Sequence, residues 1–412
     1  MTPFLQFALA LALIIIAAKS GGYLAIRIGQ PAVLGELIVG IILGPSVLDI
    51  LHVPYFTDQH LPEVIHELAE MGVLLLMFLA GLELHLSDLV RSGKVAALAG
   101  TFGVILPLAL GTLTGFLFSM GIQPAIFIGL IISATSVSIS AQTLMELKVL
   151  RSRVGVGLLG AAVFDDILVL LALAIFTALT QLESGGGFFN ILWIVLKMVL
   201  FLGVSSVIGW WAFPKLNHRI SNLPVSQGLI AFSVVTLLLY GWLAETIGQM
   251  AAITGAFLAG LWFSRTAEKE HIHHGIATIA YGIFVPVFFI DIGLSANARQ
   301  LTWDSGLLMF VLVLVAVAGK IIGSGSGALL GGLTRREALQ LGVGMISRGE
   351  VGLIVAAIGI QEGMLQQGDF AAIVGVVILT TVITPVLLRS LFPSPRIGHM
   401  KAQKNVSTGE GV

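Results

Sequence analysis

Gly160-Ala161-Ala162-Val163-Phe164-Asp165-Asp166-Ile167-Leu168-Val169-Leu170-Leu171 puts two adjacent carboxylates near the middle of a run, from about Val154 to Leu182, that is otherwise almost wholly apolar. An unpaired charge at the centre of a membrane-spanning helix costs roughly 2.5–3.5 kcal/mol on insertion scales. Two in succession are not explained by packing. The plain alternative is a soluble helix capped by acids, and the surrounding sequence is too apolar for it. The doublet therefore reads as a buried cation or proton site. Neighbouring positions on a helix lie about 100° apart, so the two carboxylates cannot face one partner. One is expected to bind and the other to be paired. Carboxylate oxygens are hard ligands, suited to Na⁺, Li⁺ or H⁺.

The rest of the chain agrees with a bilayer. It has 412 residues, 57% hydrophobic and 10% charged, against about 25% charged in soluble domains. Mean hydropathy is +1.02. A net charge of -1 provides no field for nucleic acid, and the absence of cysteine excludes disulfides and thiol chemistry. The 49 glycines suit close helix packing and interrupted helices. Met1-Thr2-Pro3 lacks the basic start of a cleaved signal, so Phe4 onward reads as a retained first helix.

Thirteen apolar runs approach the roughly 20 residues that a spanning helix needs. They cover about 4–26, 32–48, 65–84, 95–119, 122–146, 154–182, 188–213, 225–245, 249–264, 276–295, 305–331, 337–361 and 369–392. Gly44-Pro45 should break the second. Of the 21 Lys and Arg, sixteen follow odd-numbered runs or lie in the tail. Arg299 stands alone on the other side, and Lys19, Lys197, Lys320 and Arg348 fall inside runs. This bias predicts the N-terminus outside and the C-terminus inside a prokaryotic cell membrane. Residues 1–392 read as one transporter unit and 393–412 as a cytoplasmic tail too short to fold alone.

Two runs carry a polar break at their centres, Ser133-Ala134-Thr135-Ser136-Val137-Ser138 and Ser347-Arg348-Gly349-Glu350. They are seven runs apart, an odd offset, which predicts two inverted six-helix repeats. Paired interrupted helices point to a transporter's midplane site, where freed backbone groups face an ion. Lys320 lies too deep for comfortable snorkelling and is expected to pair with a carboxylate. The glycine face Gly319, Gly323, Gly325, Gly327 and Gly331 should let another helix approach. Arg348 and Glu350 can neutralise half-helix ends or touch cargo; the sequence favours neither. Glu36, Glu83 and Asp291 are expected in structural salt bridges, while Lys19 and Lys197 can snorkel. His271, His273 and His274 with Glu268 and Glu270 have no metal-site spacing and read as a solvated loop. The six Trp, at 193, 210, 211, 242, 262 and 303, read as interfacial anchors. No P-loop, dinucleotide GxGxxG or HExxH is found, so neither an enzyme nor a bound cofactor is expected.

Several segments, in order along nearly the whole chain, resemble the cation:proton antiporter superfamily. The group in question contains the NapA-type sodium–proton antiporters and the membrane parts of Kef-type potassium efflux systems. The segments are Gln30-Pro31-Ala32-Val33-Leu34-Gly35-Glu36 with Gly44-Pro45, Phe78-Leu79-Ala80-Gly81-Leu82-Glu83, Ala134-Thr135-Ser136-Val137, Gly160 to Asp166, Pro286-Val287-Phe288-Phe289, the helix of Lys320, and Arg348-Gly349-Glu350-Val351-Gly352-Leu353. The resemblance implies an all-α NhaA/NapA-like fold of thirteen transmembrane helices, usually a homodimer. It implies a core of about 95–182 and 305–392 moving against a dimerisation scaffold of about 4–84 and 188–295. It makes Asp166 the main cation and proton carboxylate, Asp165 the partner of Lys320, and Thr135, beside Ser136, part of the unwound helix at the site. The adjacent Asp pair goes with electrogenic Na⁺/H⁺ exchange, with Li⁺ as a second candidate cation. Kef-type chains usually carry another residue before the aspartate and a soluble nucleotide-binding domain. Asp291 departs from the family's usual small residue. A K⁺/H⁺ exchanger remains the nearest alternative. An ion-coupled symporter of an organic solute shares broken helices but builds a larger polar cavity.

Overall fold

Every regular element is helical among the residues that this computed structural model describes, namely 2–84, 91–180, 187–294, 299, 302–349, 352, 355–356, 359 and 363–392. Glu350, Val351, Leu353, His85 and the tail 393–412 lie outside them. The helices are α1 (Pro3–Arg27), α2 (Ala32–Leu43), α3 (Leu61–Glu83), α4 (Gly93–Leu117), α5 (Ile122–Ser133), α6 (Val137–Glu146), α7 (Arg153–Thr180) and α8 (Gly187–Ser221). They continue with α9 (Gly228–Thr246), α10 (Ala252–Phe263), α11 (Lys269–Ile279), α12 (Val285–Leu294), α13 (Trp303–Leu330), α14 (Arg335–Gly344) and α15 (Gln367–Leu391). A π-helical turn, Ala280–Phe284, joins α11 to α12. Among the described residues, ten helices or joined pairs are long and apolar enough to cross a bilayer; α2 and α10 are shorter apolar helices.

Helix ends follow local chemistry. Thr334 begins α14 with a reciprocal cap, its hydroxyl accepting from Glu337 N while the Glu337 carboxylate accepts from Thr334 N. Gly44 ends α2 in extended backbone, as the Gly44-Pro45 pair requires. The segment α5–α6 is one apolar run broken at Ala134, Thr135 and Ser136. α14 stops at Gly344, short of the Ser347-Arg348-Gly349 interruption.

Packing falls into two neighbourhoods. α3 lies against α10 and α12, and α2 against α1 and α12. α4 lies against α5, α7 and α13, and α13 also packs on α14 and α15. The α4–α13 contact depends on the glycine face. A Cβ on Gly323 would sit 2.5 Å from Phe102 O, and one on Gly331 2.7 Å from Val95 Cα. Gly319 and Gly327 face α4 in the same way, but Gly325 turns to Ala338 O of α14. No L side chain fits at Gly323 without parting the helices.

Several expectations need correction. Trp262 is not an interfacial anchor: it is 5% exposed and meets Trp210 edge-to-face, because Gly209 leaves room for its ring. The histidine cluster is not a loop but the first turns of α11, where His273 lies 3.6 Å from Glu83. No group of three or more His, Asp or Glu side chains among the described residues can hold a metal. Lys19 does not merely snorkel; its Nζ donates to Tyr281 O at 2.8 Å. Asp291 pairs with His66 of α3 at 2.8 Å, whereas Glu36 forms no salt bridge.

Candidate functional site

Asp165 and Asp166 sit midway along α7, and their helical offset sends them to different partners. Asp165 Oδ1 accepts from Lys320 Nζ at 2.5 Å, with both side chains sealed from solvent. Asp166 turns towards α10, and its Oδ2 accepts from Thr254 Oγ1 at 3.0 Å. The two carboxylates therefore have different partners, and Asp165 is the one paired with Lys320. Lys320 reaches a carboxylate, and its buried ammonium also feels the charges of Asp166 and Arg348.

The Asp166 turn meets two chain features that favour charge. Val169, one turn further along α7, packs with Ala134 at the α5–α6 break and with Ala251 at the start of α10. Thr254 lies in the first turn of α10, the end of the helix that carries its positive partial charge. Asp166 is 6% exposed, so desolvation makes that compensation count.

The two interruptions touch. Ser136 N donates to Ser347 O at 2.9 Å, and a Cβ on Gly349 would land 2.5 Å from Ser136 Cβ. Thr135 is 4% exposed, and its hydroxyl has no partner; the same holds for the Ser138 and Ser347 hydroxyls and for Asp165 Oδ2. Orphaned buried oxygens in this number call for a ligand or ordered water.

Arg348 resolves the ambiguity of the second break in favour of compensation. Its Nη1 donates to Met345 O and Ile346 O, at 3.1 and 2.8 Å, which end α14. Its Nη2 donates to Ala316 O of α13 at 3.3 Å, one turn before Lys320. A cation on helix-terminal carbonyls is the favourable polarity. The unwound backbone at Arg348 is satisfied by α15: its N–H donates to Thr380 Oγ1, and its C=O accepts from Thr381 Oγ1. Glu350 lies outside the described residues.

Thr254, Thr380 and Thr381 were not anticipated. Thr254 is a lone hydroxyl in an apolar run and Thr380-Thr381 a pair in another, where the default is a bond to the residue's own helix. A position one turn into a helix that follows a Gly-Gln-Met kink was the available signal for Thr254. What the site offers is one engaged carboxylate, one hydroxyl-bound carboxylate, two compensating cations and a ring of spare hard oxygens.

Comparison with known proteins follows this geometry. A family model described as "Sodium/hydrogen exchanger, transmembrane" matches residues 10–392. The Na(+)/H(+)-K(+) antiporter GerN of Bacillus cereus is 40% identical over 403 residues, spanning 97% of this chain and 99% of that protein. The Na(+)/H(+) antiporter of Enterococcus hirae is 36% identical over 386 residues, spanning 93% and 98%. Among solved structures, the sodium proton antiporter MjNhaP1 from Methanocaldococcus jannaschii has the same fold, with a TM-score of 0.69 over 100% of both chains at 14% identity.

Proposed function

The chain belongs to the transmembrane sodium/hydrogen exchanger family, and on that premise we propose that Asp166 is the group that carries sodium in one direction and protons in the other. The protein is a multi-pass membrane Na⁺/H⁺ antiporter, not an enzyme. The observation that carries the site assignment is the split of the doublet. Lys320 pairs with Asp165, while Asp166 turns to the Thr254 hydroxyl of α10.

Exclusive occupancy is enough for exchange. A bare carboxylate is costly to move through a dry barrier, so the site crosses only with H⁺ or Na⁺ aboard. Sodium at Asp166 draws Asp165 from Lys320, and the unpaired, buried ammonium then gives up its proton. Two protons per sodium make the cycle electrogenic. The second proton accounts for a lysine buried beside the site.

We read α4–α7 and α13–α15 as the moving core and the remaining helices as the scaffold, arranged as thirteen spans with two inverted repeats. The paired breaks at Thr135-Ser136 and Ser347-Arg348 support this arrangement, as do the two packing neighbourhoods. The Thr254–Asp166 bond then crosses from scaffold to core and must break in each cycle. The basic bias supports an outside N-terminus and an inside C-terminus in a cell membrane, and the family resemblance supports a homodimer. Potassium has less support as cargo than sodium, although one similar relative bears it in its name.

The test is ion flux in proteoliposomes with Na⁺, Li⁺ and K⁺ supplied separately. Asp166→Asn is expected to abolish sodium-driven proton movement while the protein still folds. Flux persisting at the parent rate refutes the assignment.

A further inference from the structure

A cavity of about 480 Å³, away from the aspartate pair, is lined in part by Lys19, Gln30, Glu36, Gln142, Glu146 and Arg389. Three acceptors on its wall are unsatisfied. Glu36 is 7% exposed, and no hydrogen bond or ion pair reaches its carboxylate. Gln30 Oε1 and Gln142 Oε1 are buried without a partner. The Gln142 amide cannot simply be turned over. Its Nε2 donates to Glu146 Oε1 at 2.8 Å, and the reverse orientation would set oxygen against oxygen.

The donors near the cavity each make one bond elsewhere. Lys19, an exposed side chain, donates to Tyr281 O, and the half-buried Arg389 donates Nε to Gly29 O at 3.1 Å. The amides of Ala32 and Val33, at the start of α2, donate to the Glu146 carboxylate at 2.6 and 3.3 Å. The Tyr281 hydroxyl lies 3.8 Å from Met145 Sδ. The wall thus keeps two buried amide oxygens without a partner beside two carboxylates, with the charge of Lys19 acting on both carboxylates.

A buried carboxylate without a partner is stabilised by a proton or by a cation. A proton on Glu36 supplies one O–H donor, which satisfies at most one of the two amide oxygens. One hard cation satisfies all three. We propose that this cavity is a second monovalent-cation site, separate from Asp166, with Glu36, Gln30 Oε1 and Gln142 Oε1 as ligands and Glu146 as a further negative charge.

The site has a regulatory position. Gln30 and Glu36 come from the turn before α2 and from α2 itself. Gln142 and Glu146 come from α6, the half-helix that follows the Thr135-Ser136 break. A bound ion therefore ties α2 to α6 and restrains the motion that exchange requires.

The inference uses the Asp166 reading only to silence the first site. Purified Asp166→Asn protein is melted in detergent in NaCl, KCl, LiCl or choline chloride at equal ionic strength. An alkali cation is expected to raise Tm saturably above choline, by about 2–5 °C at roughly 100 times its Kd. Adding Glu36→Gln or Gln142→Leu is expected to remove that rise. If the Glu36 variant does not fold, Gln142→Leu and Gln30→Leu carry the comparison. A cooperatively melting Asp166→Asn protein with no response beyond choline overturns the proposal, as does a response that survives these cavity substitutions. Failure of the Asp166 assignment would appear differently, as flux in Asp166→Asn proteoliposomes.

Discussion

Replacing Lys320 with Gln should turn an electrogenic exchanger into an electroneutral one. Lys320 is 0% exposed and its partner Asp165 is equally sealed, so the substitution leaves a carboxylate in a dry site. Removing one member of such a pair costs about 3–5 kcal/mol unless the survivor takes up a proton. Asp165 in Lys320→Gln is therefore expected to stay protonated through the cycle, and one proton per turnover disappears. The consequence can be read at zero flux. Each elementary charge moved across 100 mV is worth about 2.3 kcal/mol, and a tenfold ratio is worth about 1.36 kcal/mol. With one net charge per cycle, 100 mV displaces the balancing sodium gradient by ~50-fold. With none it displaces nothing. Proteoliposomes with voltage set by a potassium ionophore and the sodium ratio titrated to zero net flux give the number directly. A Lys320→Gln protein that retains the ~50-fold displacement refutes the ion-pair argument, and a parent protein without it refutes the two-proton cycle.

Other substitutions test the surroundings of the site. Thr254→Val removes the donor to Asp166 Oδ2, a bond to a charged group worth about 1.5–3 kcal/mol. The half-maximal sodium concentration for exchange should rise about tenfold or more, with Thr254→Ser restoring it; an unchanged value contradicts the role. Gly349→Ala drives a methyl group against Ser136 where the breaks cross. Exchange should fall about fivefold or more for an overpacking cost of roughly 1–3 kcal/mol, and parent rates would show that the crossing is loose. Arg348→Lys loses the fork that holds Met345 O, Ile346 O and Ala316 O together. A lower Tm, from roughly 1–3 kcal/mol of lost stability, is expected in detergent melts.

Features with a strong energetic signature were legible in the sequence. Asp165, Asp166 and Lys320 are charges in hydrocarbon, so charge and depth imply that Lys320 meets a carboxylate, while the family resemblance singled out Asp165. The breaks at Thr135-Ser136 and at Arg348 were legible for a similar reason. Polar clusters in apolar runs release backbone groups that must find partners. Thr254 and Thr380 were invisible because a threonine costs little in a helix and its partner is set by tertiary approach. Trp262 was misread because interfacial placement is a statistical habit, and the room left by Gly209 is a packing detail. Glu36 was expected in a salt bridge, since burial of an acid usually implies a base. Lys19 is spent instead on a carbonyl freed at the π-helical turn, a feature that no periodicity encodes.

Sodium counterflow without a pH gradient tests the central claim most directly, because it asks only whether the carrier group shuttles with sodium aboard. Vesicles loaded with unlabelled Na⁺ and diluted into a trace of radioactive Na⁺ should accumulate label transiently with the parent protein. Asp166→Asn should accumulate none, although it is inserted and melts cooperatively. Counterflow at the parent level in that variant would mean that sodium crosses on some other group, and the account built on Asp166 would be wrong.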